Sequence, residues 1–291
     1  MLYNQKSIPN RIFDGFNVVL LFLLAMACLF PFINVIASSF VTTEEFMARS
    51  LIIIPRTFSL DAYRFVLSTP TIFRALGVSV GVTLVGTAVS MVLTSLMAYA
   101  LSRTYLPGRR VINFLILFTM LFSGGMIPTF MVVRSLGLIN SYWAMILPSA
   151  VSAYNLILMR NFFGAIPVSL EESAKIDGAN DLIVFIKIMA PLSLASFATI
   201  SLFYAVGYWN SFTNALLYIS DHTMWPIQIL LRQIVIVATG IQGDADSVAI
   251  IPPSQTVQMA VIVIATVPIL IIYPFVQRYF VKGALIGSVK G

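Results

Sequence analysis

Glu171, Glu172, Lys175, Asp177, Asp181 and Lys187 crowd into one short segment of a chain that is otherwise poor in charge. Glycine and proline punctuate the same segment. Pro167 stops the chain ahead of it, and Ser169 stands three residues before Glu172, the spacing of a capping box. Leu170 to Asp177 therefore reads as a short helix, with Gly178 placed to end it in a left-handed conformation. Asn180 can cap a second helix that starts at Asp181, sets an acid near the positive end, and runs into Ile188 and Pro191. Two short amphipathic helices joined by a tight glycine turn make a knob that suits docking into a groove on a water-soluble partner. Capping alone, at roughly 1 kcal/mol per cap, would account for Ser169, Glu172, Gly178 and Asn180 singly. It does not account for the spacing of the whole segment.

A second group is aromatic. Tyr204, Tyr208 and Ser211 follow i, i+4, i+7 and would share one helical face, near Ser201, Trp209, Asn210, Thr213 and Asn214. Rings edged with hydroxyls and amides suit sugars, whose apolar C–H faces are ringed by hydroxyls. The same pattern also fits an interfacial aromatic belt with hydrogen bonds between helices. Gly240, Gln242, Gly243 and Asp244 form a polar turn after an expected membrane-surface helix around Trp225 to Val237. His222 is the only histidine and Cys28 the only cysteine. Neither finds a second ligand or a disulfide partner, so His222 is expected in a solvated loop and Cys28 as a buried, inert thiol. No metal site is expected. No lysine follows a glycine, so the phosphate-cradling P-loop is absent.

The scaffold for these residues follows from where charge is missing. The 291 residues are 59% hydrophobic and 10% charged, with mean hydropathy +0.96; a soluble domain carries about 25% charged residues. Stretches 15–43, 75–102, 111–133, 135–159, 188–220 and 247–277 contain no Asp, Glu, Lys or Arg. Each exceeds the roughly 20 residues that a helix needs to cross about 30 Å of hydrocarbon. Only helices or closed barrels satisfy every backbone group in lipid, and continuous apolar runs without alternation choose helices. The expected architecture is an all-α polytopic membrane protein with six transmembrane helices, at about 15–39, 75–102, 111–133, 140–159, 192–219 and 256–277. With the N-terminus in the cytoplasm, eleven Lys and Arg and five acids fall inside, against six and six outside. The positive-inside rule then places both termini, the 1–13 segment, the 161–191 loop and the 278–291 tail in the cytoplasm. Loops 40–73 and 220–255 lie outside. Attraction to anionic lipid explains the basic balance without nucleic acid. Spans free of charge exclude the usual proton relays and ion-coupled carriers, so uphill movement would need energy from another subunit. Gly77-x3-Gly81 and Gly86 predict close helix approach in the second span, and Ser123 to Pro128 predicts a break in the third.

Glu172-Ser173-Ala174, then Gly178, then nine residues to Ile188 and Pro191, resembles the E-A-A-x3-G-x9-I-x-L-P loop of binding-protein-dependent ABC importer permeases. Ser173 and Ala190 depart from that pattern. Ala174-Lys175-Ile176-Asp177-Gly178-Ala179 and the C-terminal Tyr279-Phe280-Val281-Lys282-Gly283 and Gly287-Ser288-Val289-Lys290-Gly291 are similar to the carbohydrate branch, in particular its MalG-like inner-membrane subunit. Gly124-Gly125-Met126-Ile127-Pro128-Thr129 adds a resemblance to permeases for acidic or plant-wall oligosaccharides.

The resemblance implies a MetI-like permease fold over 14–291, in the inner membrane of a bacterium, and a subunit that is not itself an enzyme. ATP and magnesium would sit on a partner ATPase dimer, with no cofactor on this chain. The other implied partners are a second homologous permease, an extracytoplasmic sugar-binding protein and membrane lipid. By the same resemblance Glu171, Glu172, Ala174, Asp177, Gly178, Ile188 and Pro191 would take the ATPase, and Ser288, Lys290 and Gly291 would reach between its halves. Gly240, Gln242, Gly243 and Asp244 would enter the binding protein, with 42–63 as a second docking surface. Tyr204, Tyr208 and Ser211 are the candidates for the pathway. The rival readings are a permease for a non-sugar solute, a self-contained secondary carrier and a membrane scaffold. A reporter active only in the cytoplasm is expected to work when fused after Gly291 and to fail when inserted within 40–73. The reverse pattern would overturn the orientation.

Overall fold

A computed structural model describes the backbone of residues 8–49, 51–238 and 254–288. Among these residues the structure is helical, and the one isolated β contact is a bridge between Val41 and Phe58. Its contacts divide the chain into two units, Met1–Pro70 with Leu231–Thr266, and Thr71–Leu230 with Val267–Gly291.

In the first unit, α1 covers Ile8–Ser38 and is exposed along most of its length. Cys28 lies on that exposed surface, so the expectation of a buried thiol is corrected. The reason is general: lipid tails are as apolar as a protein core, and composition cannot separate the two. After α1 come α2, Thr43–Ala48, and α3, Asp61–Ser68. Around them the 42–63 segment is tightly organised. The Glu45 carboxylate accepts from the N–H groups of Arg56 (3.1 Å) and Thr57 (2.7 Å), the Thr57 hydroxyl (2.5 Å) and Arg49 Nη1 (2.8 Å). Asn34 Oδ1 accepts from Ile52 N–H at 3.0 Å, and Ser39 and Tyr63 share a 2.7 Å hydrogen bond, which ties the segment back to the end of α1.

The second unit begins with α4, which runs unbroken over Pro70–Ser102. Next come α5, Arg109–Leu121, and α6, Met126–Ser135, which meet at 116° where Gly125 takes a φ of +87°. The break predicted from Ser123 to Pro128 is therefore present. α7, Tyr142–Ile146, continues through a short 3₁₀ turn and bends by 54° into α8, Ala153–Gly164. Then follow α9, Val168–Ile176, α10, Asp181–Val184, a five-residue π turn over Phe185–Met189, and α11, Ala190–Leu192. The chain turns by 85° at Ser193 into α12, Leu194–Trp209, and α13, Thr213–Tyr218. Two helices belong partly to each unit: α14, Ile227–Ala238, whose residues from Leu231 on are in the first, and α15, Gln255–Ser288, whose residues from Val267 on are in the second. Met145, Leu156, Met159, Phe163, Val184, Met189 and Ile200 form the buried centre of the second unit.

Among the described residues, three helices are long and apolar enough to cross a bilayer alone: Ile12–Ser38, α4 and Gln255–Pro274. Three more crossings arise if each bent pair is one span. The described residues thus offer three to six spans.

Glu45 sets the chemistry of the first unit. The Thr57 hydroxyl, then the Thr57 and Arg56 amides and Arg49, pull its carboxyl from 4.5 down to about 2 against the opposing effect of burial. A depressed pKa contributes stability that is complete above the unfolded value and vanishes as pH falls through the folded one. Glu45→Gln should therefore lower the thermal midpoint in detergent at neutral pH, and the gap from the parent should close between about 4.5 and about 2.

Candidate functional site

The 161–191 loop forms the two-helix knob, with one change at its start. Pro167 is the N-cap of α9, and no side chain caps it. Ser169 lies inside the first turn, so the expected capping box with Glu172 does not form. The fixed φ of Pro167 begins the helix earlier than a serine cap would. The far end matches expectation. Gly178 N–H donates to Lys175 C=O (3.1 Å) and Ala179 N–H to Ala174 C=O (2.9 Å), with Gly178 at a φ of +85°; this is the paired closure of a Schellman turn. Asn180 Oδ1 then accepts from Ile183 N–H at 2.9 Å and starts α10.

Inside the knob sits an ion cluster. Glu171, only 4% exposed, is paired with Arg103 and accepts from Lys175 Nζ at 2.9 Å and the Tyr105 hydroxyl at 3.3 Å. Lys175 also reaches Asp181 at 3.0 Å and the Tyr105 hydroxyl at 3.2 Å. Hydrogen bonds to Glu171 first, then to Asp181 and Tyr105, hold the Lys175 amine well above its ordinary value. Two cations face two carboxylates, so the cluster is neutral. Arg103 lies one residue past α4, where a charge reads as an end-of-span marker; sequence reasoning missed it for that reason.

Around this cluster the predicted residues separate by face. Ala174 and Ile188 are half-buried and pack on the core of the unit, whereas Glu172, Asp177, Gly178 and Pro191 are exposed. Glu171 turns inward instead of joining Glu172 at the surface. Among the exposed apolar residues of the knob that were not singled out from sequence, Ile176 is 86% exposed and Leu182 59%.

Tyr204 and Tyr208 lie in α12, buried against α4. The Tyr204 hydroxyl is 2.7 Å from Thr94 Oγ1 and accepts from Ser152 N–H at 3.0 Å. The Tyr208 hydroxyl is 2.9 Å from Ser90 Oγ and donates to Ile146 C=O at 3.1 Å. A methyl group at Gly86 would lie 2.9 Å from the Tyr208 ring, so that glycine admits the close contact. Both tyrosines are tied to neighbouring helices. Ser211 does not share their face, because α12 ends at Trp209 and the chain turns through Asn210. Gly77 and Gly81 have open space where a Cβ would stand. Within this chain they border a groove of about 550 Å³ with Arg74, Tyr142 and Trp143, so of the three glycines it is Gly86 that meets a neighbouring helix here.

No family profile matches the chain. Individual proteins do. It is 61% identical over 284 residues, 97% of the chain and 99% of the relative, to the polygalacturonan/rhamnogalacturonan transport system permease protein YtcP of Bacillus subtilis (strain 168). It is 51% identical over 292 residues, 100% of the chain and 98% of the relative, to Protein LplC of the same organism. Among solved structures it matches, with a TM-score of 0.86 and 35% identity over 94% of this chain and 98% of the other, a bacterial ABC transporter involved in the import of the acidic polysaccharide alginate. The chain belongs to the carbohydrate ABC importer permeases. As such it is a permease subunit in a bacterial inner membrane, part of a system that also has an ATPase and a substrate-binding protein. Subunits of this kind are not themselves enzymes.

The remaining predicted residues of the permease divide simply. Gly240, Gln242, Gly243, Asp244, Lys290 and Gly291 lie outside the described residues, and Ser288 ends the backbone of α15. The helix expected around Trp225 to Val237 is α14, but Ile227, Ile229, Leu230 and Ile234 are buried, so it packs into the protein. His222 is half-buried, edge-on to Trp225 at 4.1 Å, which corrects the expectation of a solvated loop residue. Gly77-Val78-Ser79-Val80-Gly81 spells the G-x-S-x-G of a nucleophile elbow, yet it lies inside α4, where no strand precedes it. Its buried Ser79 Oγ accepts from Ile227 N–H at 2.8 Å.

Gly178 allows a decisive substitution. Space around it is open, so only its left-handed backbone resists a side chain. That strain is about 1–2 kcal/mol for most residues and less for Asn. Uptake should be lost in Gly178→Val and retained in Gly178→Asn, with equal membrane insertion of both; normal uptake in the valine variant would refute a coupling role for the turn.

Proposed function

We propose that this permease carries acidic, plant-wall type oligosaccharides, with uronate residues, into the cytoplasm. The observation that carries the reading is the 61% identity with YtcP over nearly the whole of both chains. The likeness to the alginate importer supports the same charge class. Arg74, Tyr142 and Trp143 at the groove offer the cation and ring faces that such a sugar needs.

In this reading both termini are cytoplasmic, six spans are formed with each bent pair as one, and a second related permease completes the pathway. Two copies of an ATPase hold ATP and magnesium and close when ATP binds. They press on the 161–191 knob, where exposed Glu172, Ile176, Asp177 and Leu182 offer the charged and apolar groups of a docking surface. The spans rock between inward- and outward-facing states. The sugar-binding protein delivers its load from the other side, meeting 42–63 and residues 240–244, and the C-terminal segment through Lys290 and Gly291 reaches the ATPase.

In cells lacking the gene, a plasmid copy should restore uptake of labelled oligogalacturonides, and a lysine-to-alanine change in the P-loop of the partner ATPase should abolish it. Restored uptake of neutral maltooligosaccharides alone would overturn the substrate class. Uptake that survives the ATPase change would overturn the ATP-driven mechanism.

A further inference from the structure

Arg103 holds both arms of the knob at once. Its Nη1 donates to Glu171 on α9, and its Nη2 to Sδ of Met189, the last residue of the π turn, at 3.4 Å. Its guanidinium also lies 4.6 Å from the centre of the Tyr99 ring, on the final turn of α4. The residue is 7% exposed. Stability alone does not call for a buried ion pair here, since well-packed apolar groups often serve as well or better. Such packing already exists beside it, where Phe163 meets Tyr99 and Phe185. What the pair adds is direction: a guanidinium fixed to carboxylate and sulfur cannot slide as apolar side chains can.

The helix that bears Arg103 is built to carry a displacement. α4 has 33 residues, and its only proline is the first. At 1.5 Å per residue it is about 50 Å long, with no internal proline to kink it. Ser90 and Thr94 fasten its middle to α12 through Tyr208 and Tyr204. Near its other end Ser79 accepts from the N–H of Ile227, the first residue of α14. We propose that Arg103 is a positioning residue that makes the 161–191 knob and α4 one rigid lever, so that displacement of the knob reaches α14. This rests on the reading that the ATPase docks on the knob.

The test uses the complete transporter in lipid vesicles, with its binding protein and an oligogalacturonide, and measures ATP hydrolysis and sugar uptake together. Arg103→Gln should leave the ATPase bound and hydrolysing while uptake per ATP falls about tenfold, a typical coupling factor. The double variant Arg103→Met, Glu171→Leu removes both charges without stranding either, so it should assemble and be uncoupled to the same degree. The exchanged pair Arg103→Glu, Glu171→Arg should recover part of the ratio. A normal ratio in the Met–Leu variant would overturn the lever, and so would loss of bound ATPase in all of these variants. Gly178→Val tests the underlying reading separately: normal uptake there means that the knob does not receive the ATPase, whatever Arg103 does.

Discussion

Burying the Glu171 carboxylate at the junction between a loop and the end of α4 requires nearby positive charge, and the surrounding structure meets that requirement. Arg103 comes from one side and Lys175 from the same helix, with the Tyr105 hydroxyl between them. Lys175 in turn reaches Asp181, which brings the start of α10 against α9. The tight Gly178 turn is thus closed by backbone bonds at its tip and by an ion pair across its base. The energetics are asymmetric: losing one partner of such a pair strands a buried charge at about 3–5 kcal/mol, whereas replacing both can be neutral. The cluster therefore specifies geometry more than it adds stability.

The same economy governs the helices above it. Ser79, Gly86, Ser90 and Thr94 recur at intervals of seven, four and four along α4 and fall on one face. Small side chains there let α12 approach, and hydroxyls find partners that lipid could not supply. Hydrogen bonds between membrane helices average about 0.6 kcal/mol, so no single one dominates. Their value lies in register: Ser90 meets Tyr208 and Thr94 meets Tyr204, two matched contacts one turn apart on antiparallel helices. The broken helices obey the same rule of satisfied backbone. At the α7–α8 bend, Ser152 caps α8 through Asn155 N–H while its own N–H is taken by Tyr204.

The kinship with polysaccharide permeases gives these contacts a setting. In the proposed mechanism, motion enters through a surface that is stiff where it joins the spans and adhesive where it meets the ATPase. The knob divides along that line. Glu171, Ala174 and Ile188 face inward and anchor it, while Glu172, Ile176, Asp177 and Leu182 face out.

The sequence alone determined the solvent, the helical class and the knob. Charge-free stretches such as 75–102 permit only membrane helices, and Gly178 with Asn180 predicts the turn and cap because both act through their own backbone neighbours. What depends on distant partners was left to the tertiary structure. Arg103 and Glu171 are 68 residues apart, and no local pattern announces their pairing. Tyr204 and Tyr208 carry the same letters whether they line a path or tie helices together. Cys28 is exposed and Ile200 buried in equally apolar stretches, because hydrocarbon and protein core reward the same side chains. Hydropathy therefore assigned the medium, and only packing assigned the faces.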